Sequence, residues 1–152
     1  MDIRKTVLRL CRKYGTRDPF ELADALNILV LKEPLGAING YYNQCYRQKF
    51  IHINESLDPC RQRFTCAHEL GHAVLHPKAN TPFLREQTLF SVSRLETEAN
   101  RFAAELLCPD EELAEYPEYN AEQLACMLGI RRELVEYRIQ QNRESGVQGN
   151  LK

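Results

Sequence analysis

The run His68-Glu69-Leu70-Gly71-His72 combines residue types and a spacing that chemistry can use. On a helix, residues i and i+4 lie one turn apart on the same face, so the two imidazoles converge on one metal ion at the ~2.0–2.1 Å typical of a Zn–N bond. Glu69 is turned about 100° from His68, outside the set of ligands but beside the position that a coordinated water takes. A general base for that water belongs there. The neighbours Phe64, Cys66, Ala67, Leu70, Ala73, Val74 and Leu75 are apolar or small, so this helix is expected to be buried. Polar groups buried without partners cost several kcal/mol, and a metal supplies the partners. Gly71 costs a helix interior about 1 kcal/mol relative to Ala and makes sense where something must approach closely.

A catalytic zinc takes three protein ligands and keeps one position open. His76 is i+4 from His72, but the helix rises about 12 Å from His68 to His76, too far for one ion. It is read as a histidine at the helix C-terminus, interacting with the last carbonyls. The third ligand is expected from the stretch Leu95 to Leu107. At 100° per residue, Leu95, Ala99, Phe102 and Leu106 form its core stripe, with Glu96 on one border and Glu98 on the other. Glu96 shares its side with Asn100, Ala103 and Leu107, whereas Glu98 shares its side with the charged Arg94, Arg101 and Glu105. Glu96 is the preferred ligand and Glu98 the alternative. Asn100, one turn from Glu96, is placed to hydrogen-bond a ligand histidine from behind.

These groups need elements to hold them. Asp58-Pro59 reads as an N-cap and first helical residue, opening a helix that runs to His76 and stops at Pro77. A further helix is expected from Arg94 to Cys108, ending before Pro109, with the stretch Lys78 to Ser93 between them as loop. Upstream, Ile3 to Tyr14 has helical apolar spacing with a stop at Gly15, and Asp18-Pro19 opens a second short helix. Three β-type segments follow, at Ile28–Leu31, Ile38–Asn43 and Lys49–Asn54, the last two joined by the hairpin-length link Gln44 to Arg47. In Phe50-Ile51-His52-Ile53 the alternation turns His52 away from the apolar face. Short helices are expected at Asp110–Glu115, Ala121–Leu128 and Arg131–Gln140. The fold class is therefore α+β, a small, mainly antiparallel three-stranded sheet packed against helices. Residues 1–141 form a single domain and 142–152 a flexible tail.

The 152 residues suffice for one domain with its own core. Twenty Lys and Arg against 21 Asp and Glu give a net charge of -1, so no overall basic field attracts nucleic acid. Arg4, Lys5, Arg9, Arg12, Lys13 and Arg17 form a local basic cluster, read as a solvated face. The longest apolar run, Ile28 to Leu31, is far short of the ~20 residues of a membrane span, and Met1 to Thr6 carries no signal-peptide apolar region. The six cysteines include no Cys-x-x-Cys pair and read as reduced thiols of a cytoplasmic protein, with Cys66 and Cys108 as core residues.

His68-Glu69-Leu70-Gly71-His72-Ala73-Val74-Leu75-His76, followed by Glu96-x-Glu98-Ala99-Asn100-x-Phe102-Ala103-Ala104-Glu105-Leu106-Leu107-x-Pro109, resembles the ImmA/IrrE family of zinc metallopeptidases. Phe50 to Asn54, Phe64 to Ala67 and Asp18 to Ala23 are similar to other segments of that family. Cys108 departs from it, standing where an aliphatic residue or Met is usual. The resemblance implies a minimal gluzincin-like metallo-endopeptidase in which His68 and His72 bind zinc, Glu69 acts as base and an acidic residue of the later helix completes the site. It further implies a protein substrate, a helix-turn-helix transcriptional repressor of a phage or mobile element, cleaved at a specific site.

The chemistry of the motif predicts that zinc acidifies its water, Glu69 takes the proton, and a peptide carbonyl is attacked. Substrate is expected to add as a strand along the edge carrying Phe50 to Asn54. His52, Tyr41 and Tyr42 are candidates to stabilise the oxyanion, weighed against being ordinary sheet residues. Activity is expected to be gated, by the Lys78 to Ser93 loop or by a partner. Two other readings compete. One is a non-catalytic, zinc-stabilised regulatory or toxin-antitoxin-type binding module, which would close its metal with four protein ligands. The other takes Ala121 to Ile130 as half of a DNA-binding helix-turn-helix, but Ala121 to Gln140 balances Arg131, Arg132 and Arg138 against Glu122, Glu133 and Glu136 and offers no basic face for phosphates. No direct contact with nucleic acid or membrane is expected.

Overall fold

In the computed structural model, the described residues are 2–81 and 89–150, with side chains described for 2–81 and 94–144. Asp2 caps α1 (Ile3–Tyr14), which ends at Gly15. Asp18 accepts from the N–H of Phe20 to open α2 (Pro19–Ala25), and Asp58 accepts from Arg61 to open α3 (Pro59–Leu75). These Asp-Pro starts form as the capping chemistry requires, because the aspartate fills a donor that the first turn leaves free and proline has none to lose. Beyond α4 (Leu89–Leu107) and α5 (Asp110–Glu115) lie α6 (Ala121–Leu128), opened by a reciprocal Asn120–Gln123 capping box, and α7 (Arg132–Asn150).

The sheet consists of β1 (Ile28–Glu33), β2 (Gly40–Cys45) and β3 (Gln48–Asn54), in the order β1-β3-β2. It is mixed rather than mainly antiparallel. β2 and β3 form the expected hairpin, but β1 runs parallel to β3, with Ile28 opposite Lys49 and Glu33 opposite Asn54. The reason lies in Asn54, a residue only 3% exposed. Its side-chain amide donates to the carbonyls of Gly36 and Ile38 at 2.9 and 3.0 Å, and its N–H donates to Asn39 at 2.8 Å. The link after β1 is thereby held across the end of β3 and delivers β2 to the far side. One consequence corrects an expectation: β3 is the central strand, so Phe50 to Asn54 offers no free edge for a substrate strand.

Ile51 and Ile53 of β3 are fully buried and His52 turns to the opposite face, as the alternation requires. Against the inner face packs α3, and across α3 lies α4. The crossing point is Gly71. A Cβ there would stand 3.0 Å from Phe102 Cβ and 3.2 Å from both the Cα and the carbonyl oxygen of Ala99. The core spreads from this contact through Leu70, Ala67, Ala103 and Leu106. Cys66 and Cys108 are both fully buried in it. All six cysteines are free thiols.

Two boundaries differ from the sequence reading. Of the segment Lys78 to Ser93, residues 82–88 lie outside the described residues, and the chain is already helical from Leu89. At the other end, α7 continues beyond Gln140 to Asn150, where a tail was expected from residue 142; residues 151 and 152 lie outside the described residues. The pair α6–α7 packs on the domain through contacts of α7 with α4. Among the described residues no helix is long and apolar enough to cross a membrane.

The basic cluster of the N-terminus is not merely a solvated face. Arg17 donates to the carbonyls of Glu105 and Leu106 at 3.1 and 3.3 Å, satisfying the open end of α4, and Arg4 pairs with Asp110. Asp110 also pairs with Arg138, which is 1% exposed and reaches Glu105 at 3.3 Å and the Cys108 carbonyl at 2.9 Å. Glu105 is itself 4% exposed, not among solvated charges as its neighbours in sequence implied.

Two stability outcomes are expected. Gly71→Ala gains about 1 kcal/mol in helix propensity and loses about 1–3 kcal/mol to overpacking. Because the obstructing atoms belong to the α4 backbone and Phe102 Cβ, the net effect is destabilising by about 1 kcal/mol in chemical denaturation; a stabilised variant would show that α3 and α4 are not in contact there. Arg138→Met leaves Glu105 as an uncompensated buried carboxylate and is expected to cost about 3–5 kcal/mol. The double variant with Glu105→Gln should recover part of that loss, and additive losses would mean the two residues do not interact.

Candidate metal centre

On α3, His68 and His72 stand one turn apart, with ring centroids 5.0 Å from each other. From α4, Glu96 reaches between them: its carboxylate oxygens lie 3.0 Å from His68 Nε2 and 2.9 Å from His72 Nε2. The ligating atoms of these three residues all fall within 4.8 Å of one another. Ligands at about 2 Å from a tetrahedral zinc stand about 3.3 Å apart, so two imidazole nitrogens and a carboxylate at these separations fit the ion with little movement. The set is of the borderline N/O kind that zinc favours.

Each ligand candidate has a neighbour that fixes it. His68 Nδ1 is 2.9 Å from Asn100 Oδ1, so Asn100 stands where the helical spacing placed it. His72 is fully buried, and its Nδ1 is 3.2 Å from Nδ1 of His76. His76 Nε2 in turn is 3.2 Å from Glu98 Oε1. Thus His76 does not simply face the last carbonyls of its helix, and Glu98 does not sit among solvated charges. The burial argument for Glu96 is inverted: its side chain is 42% exposed and that of Glu98 21%. Glu96 reaches the two imidazoles because it faces an open cleft, while Glu98 lies against the end of α3.

Glu69 is 6% exposed, and its Oε2 is buried without a hydrogen-bond partner among the described residues. Oε1 lies 4.0 Å from His68 Nε2. Burial above all, with the nearby charge of Glu96 adding to it and His68 opposing, pushes the Glu69 carboxyl up to about 7. Glu96 moves the other way: burial resists its charge, but the hydrogen bonds to His68 and His72 outweigh it and hold the group well below the usual carboxylate range. His72 is pushed down by burial, whereas at His68 the bond to Glu96 overcomes burial and raises it. Two carboxylates on either side of the His68 ring nitrogen are therefore driven to opposite protonation preferences, a pattern typical of sites that move protons.

The cleft above these groups has a volume of about 560 Å³. Its walls include Gly40 at the start of β2, Thr65 of α3, Asn100 of α4, and Gly129 to Arg131 at the junction of α6 and α7. Gly40 carries no side chain for a spatial reason, since a Cβ would collide with the His52 carbonyl and the Thr65 methyl at 2.5 Å. Along the outer edge of β2, the Tyr42 N–H donates to Thr81 Oγ1 at 2.7 Å and the Gln44 N–H to Asn80 Oδ1 at 3.1 Å. The candidates for oxyanion stabilisation are not among the cleft walls. His52 is held between Glu33 and Asn43 and stacks on Tyr41 at 4.1 Å, and the buried Tyr42 donates its hydroxyl to the Pro77 carbonyl at 2.6 Å. All three serve the sheet.

A small α+β domain whose buried helix presents two imidazoles to a carboxylate from the next long helix has the architecture of a minimal gluzincin-type metallopeptidase. Residues 23–140 match the Peptidase_M78 family, the IrrE N-terminal-like domain. The chain is 47% identical over 135 residues to "Uncharacterized immunity region protein 2" of Bacillus phage phi105, covering 87% of this chain and 85% of that one. It is 33% identical over 145 residues to metallopeptidase ImmA of Bacillus subtilis (strain 168), covering 91% and 85%. A Mycobacterium tuberculosis transcriptional regulator of known structure has the same fold, with a TM-score of 0.60 at 18% identity over 90% of this chain and 46% of that longer one. The chain belongs to the ImmA/IrrE family of metallopeptidases.

The raised Glu69 has a consequence for stability with a definite sign. The folded chain keeps a proton on Glu69 that the unfolded chain releases near its ordinary value, so folding becomes less favourable as pH rises from about 4 toward 7. Glu69→Gln removes this titration. In chelator-treated protein, the variant is expected to exceed the parent in stability at pH 8 by up to about 3 kcal/mol and to match it near pH 4. Thermal melts at the two pH values measure this, and a difference independent of pH would count against the burial of the carboxylate.

Proposed function

We propose that this chain is a zinc-dependent endopeptidase, with residues 1–141 as its peptidase domain, that cleaves a helix-turn-helix repressor of a phage or mobile element in the bacterial cytoplasm. The observation that carries the reading is the convergence of His68, His72 and Glu96 beside Glu69, whose buried Oε2 has no partner among the described residues. His68 and His72 would hold the ion through Nε2 and Glu96 through its carboxylate, with Asn100 orienting the His68 ring. Zinc, when bound, supplies Lewis acidity that acidifies water at its open position and polarises the carbonyl under attack.

The chain's own part is proton transfer and positioning. Glu69 accepts a proton at its carboxylate, whose Oε1 lies 4.0 Å from His68 Nε2, and the same group can return that proton to a departing amine. The Glu69 side chain lines the cleft yet is only 6% exposed, so bulk water has little access to its carboxylate. At the mouth, Gly40 is two residues from Tyr42 and shares its outward backbone direction, the side from which the backbone of an extended substrate would add. The names of the two relatives, an immunity region protein and a metallopeptidase, support the repressor as substrate. A non-catalytic zinc module would require a fourth protein ligand; among the described residues the cluster has three.

The test is incubation of the purified chain, with one equivalent of zinc, with the repressor encoded beside it, followed by mass spectrometry of the products. A single cut is expected, abolished by a chelator. Glu69→Gln is expected to bind zinc as the parent does and to cleave about 10²–10⁴-fold more slowly. Undiminished cleavage by that variant would remove Glu69 from its role, and an intact repressor with the zinc-loaded parent would remove this substrate.

A further inference from the structure

His72 is backed by a chain of groups that none of the foregoing uses. Its Nε2 faces the Glu96 carboxylate at 2.9 Å, and its Nδ1 faces Nδ1 of His76 at 3.2 Å. Only one of the two facing nitrogens can carry the proton. If Nε2 of His72 is left bare for a metal, the proton sits on its Nδ1 and is donated to His76. His76 must then carry its own proton on Nε2, which is the nitrogen that lies 3.2 Å from Glu98 Oε1. The arrangement admits one tautomer at each ring and ends on a carboxylate. Arg94 Nε lies 3.6 Å from the same oxygen.

The chain is built into the end of α3. His76 is the C-cap residue, and its backbone N–H still bonds the His72 carbonyl at 2.7 Å. That bond keeps His76 one turn below His72 while the chain leaves the helix, and the two rings lie 5.4 Å apart. The side chains of His72 and His76 are 0% and 9% exposed, so water does not substitute for either partner. His68 is treated differently, since behind it stands the neutral amide of Asn100, its Nδ1 partner among the described residues.

We propose that His76 and Glu98 are positioning residues for the metal: they fix His72 as the Nδ1–H tautomer, hold its ring in the plane that aims Nε2 at the ion, and make that nitrogen a stronger ligand. A carboxylate behind a ligand imidazole raises its basicity, and loss of such a partner typically costs 10–100-fold in metal affinity. Here the carboxylate acts through an intervening imidazole. This inference rests on the metal site proposed above.

The experiment measures zinc affinity of the purified full chain by competition with a chromophoric chelator, alongside thermal melts of the chelator-treated proteins. His76→Phe keeps the bulk and removes the acceptor for His72, and a loss of about 10–100-fold in affinity is expected. Glu98→Gln keeps an oxygen for the His76 N–H but removes the charge, and a smaller loss of about 3–10-fold is expected. A residue serving only the fold would lower the melting temperature and leave the affinity of the folded protein unchanged. If His76→Phe does not fold, Glu98→Gln decides alone. Affinities within twofold of the parent in the folded variants would overturn the proposal while leaving the metal site intact. A parent that binds no zinc would overturn both, so the two failures are distinguishable.

Discussion

The close crossing of α3 and α4 at Gly71 and Ala99 is the contact on which the rest of this domain depends. No side chain intervenes there, so the two helices meet backbone to backbone, with 3.2 Å between the missing Cβ and the Ala99 Cα. That depth sets what each neighbouring position of α4 can reach. Glu96 arrives between His68 and His72, Asn100 behind His68, and Glu98 behind His76, all from one turn of helix. A methyl group at residue 71 would move all three contacts together, because they share one rigid element. The glycine is therefore less a weak point in α3 than the feature that sets the range of the site.

Charge is distributed along α4 in two separate groups with different logic. At the cleft, burial raises Glu69 of α3 while the bonds to His68 and His72 hold Glu96 of α4 down, which leaves the site with one carboxyl that tends to hold a proton and one that does not. At the C-terminal end, Arg4, Arg17 and Arg138 surround Glu105, Asp110 and the last carbonyls of the helix. Burial resists ionisation of Asp110, yet the bonds from Arg4 and Arg138 hold it below its ordinary value. The first group is organised to exchange protons. In the second, the arginines keep Asp110 ionised, while burial pushes Glu105 the other way.

Much of this was legible in the residues. The i, i+4 pair His68 and His72, the Asp-Pro helix starts, the β2–β3 hairpin and the buried Cys66 and Cys108 all follow from local spacing and composition, and local rules are what a sequence displays. Glu96 was reached by helical phase, though for a burial reason that does not hold; phase gives direction around a helix but not whether that direction meets core or cleft. The parallel pairing of β1 was not legible, because it depends on Asn54 bonding carbonyls in a loop far from it in sequence. The same holds for Arg138, whose partners come from four different elements or joints of the chain. His76 stood at a visible i+4 spacing from His72, and that spacing was a usable signal once direct metal ligation had been set aside.

Arg138 adds a buried polar tie between helices that also pack on each other. The cleft is walled on one side by Gly129, Ile130 and Arg131, just ahead of α7, and on the other by Glu96 and Asn100 of α4. Arg138 ties α7 to the end of α4 through pairs that are almost wholly shielded from water. Pairs so shielded are little screened by dissolved ions. An internal electrostatic clasp therefore helps to hold the jaw of the cleft, and its contribution is expected to be the same in dilute buffer as in the salt of a cell.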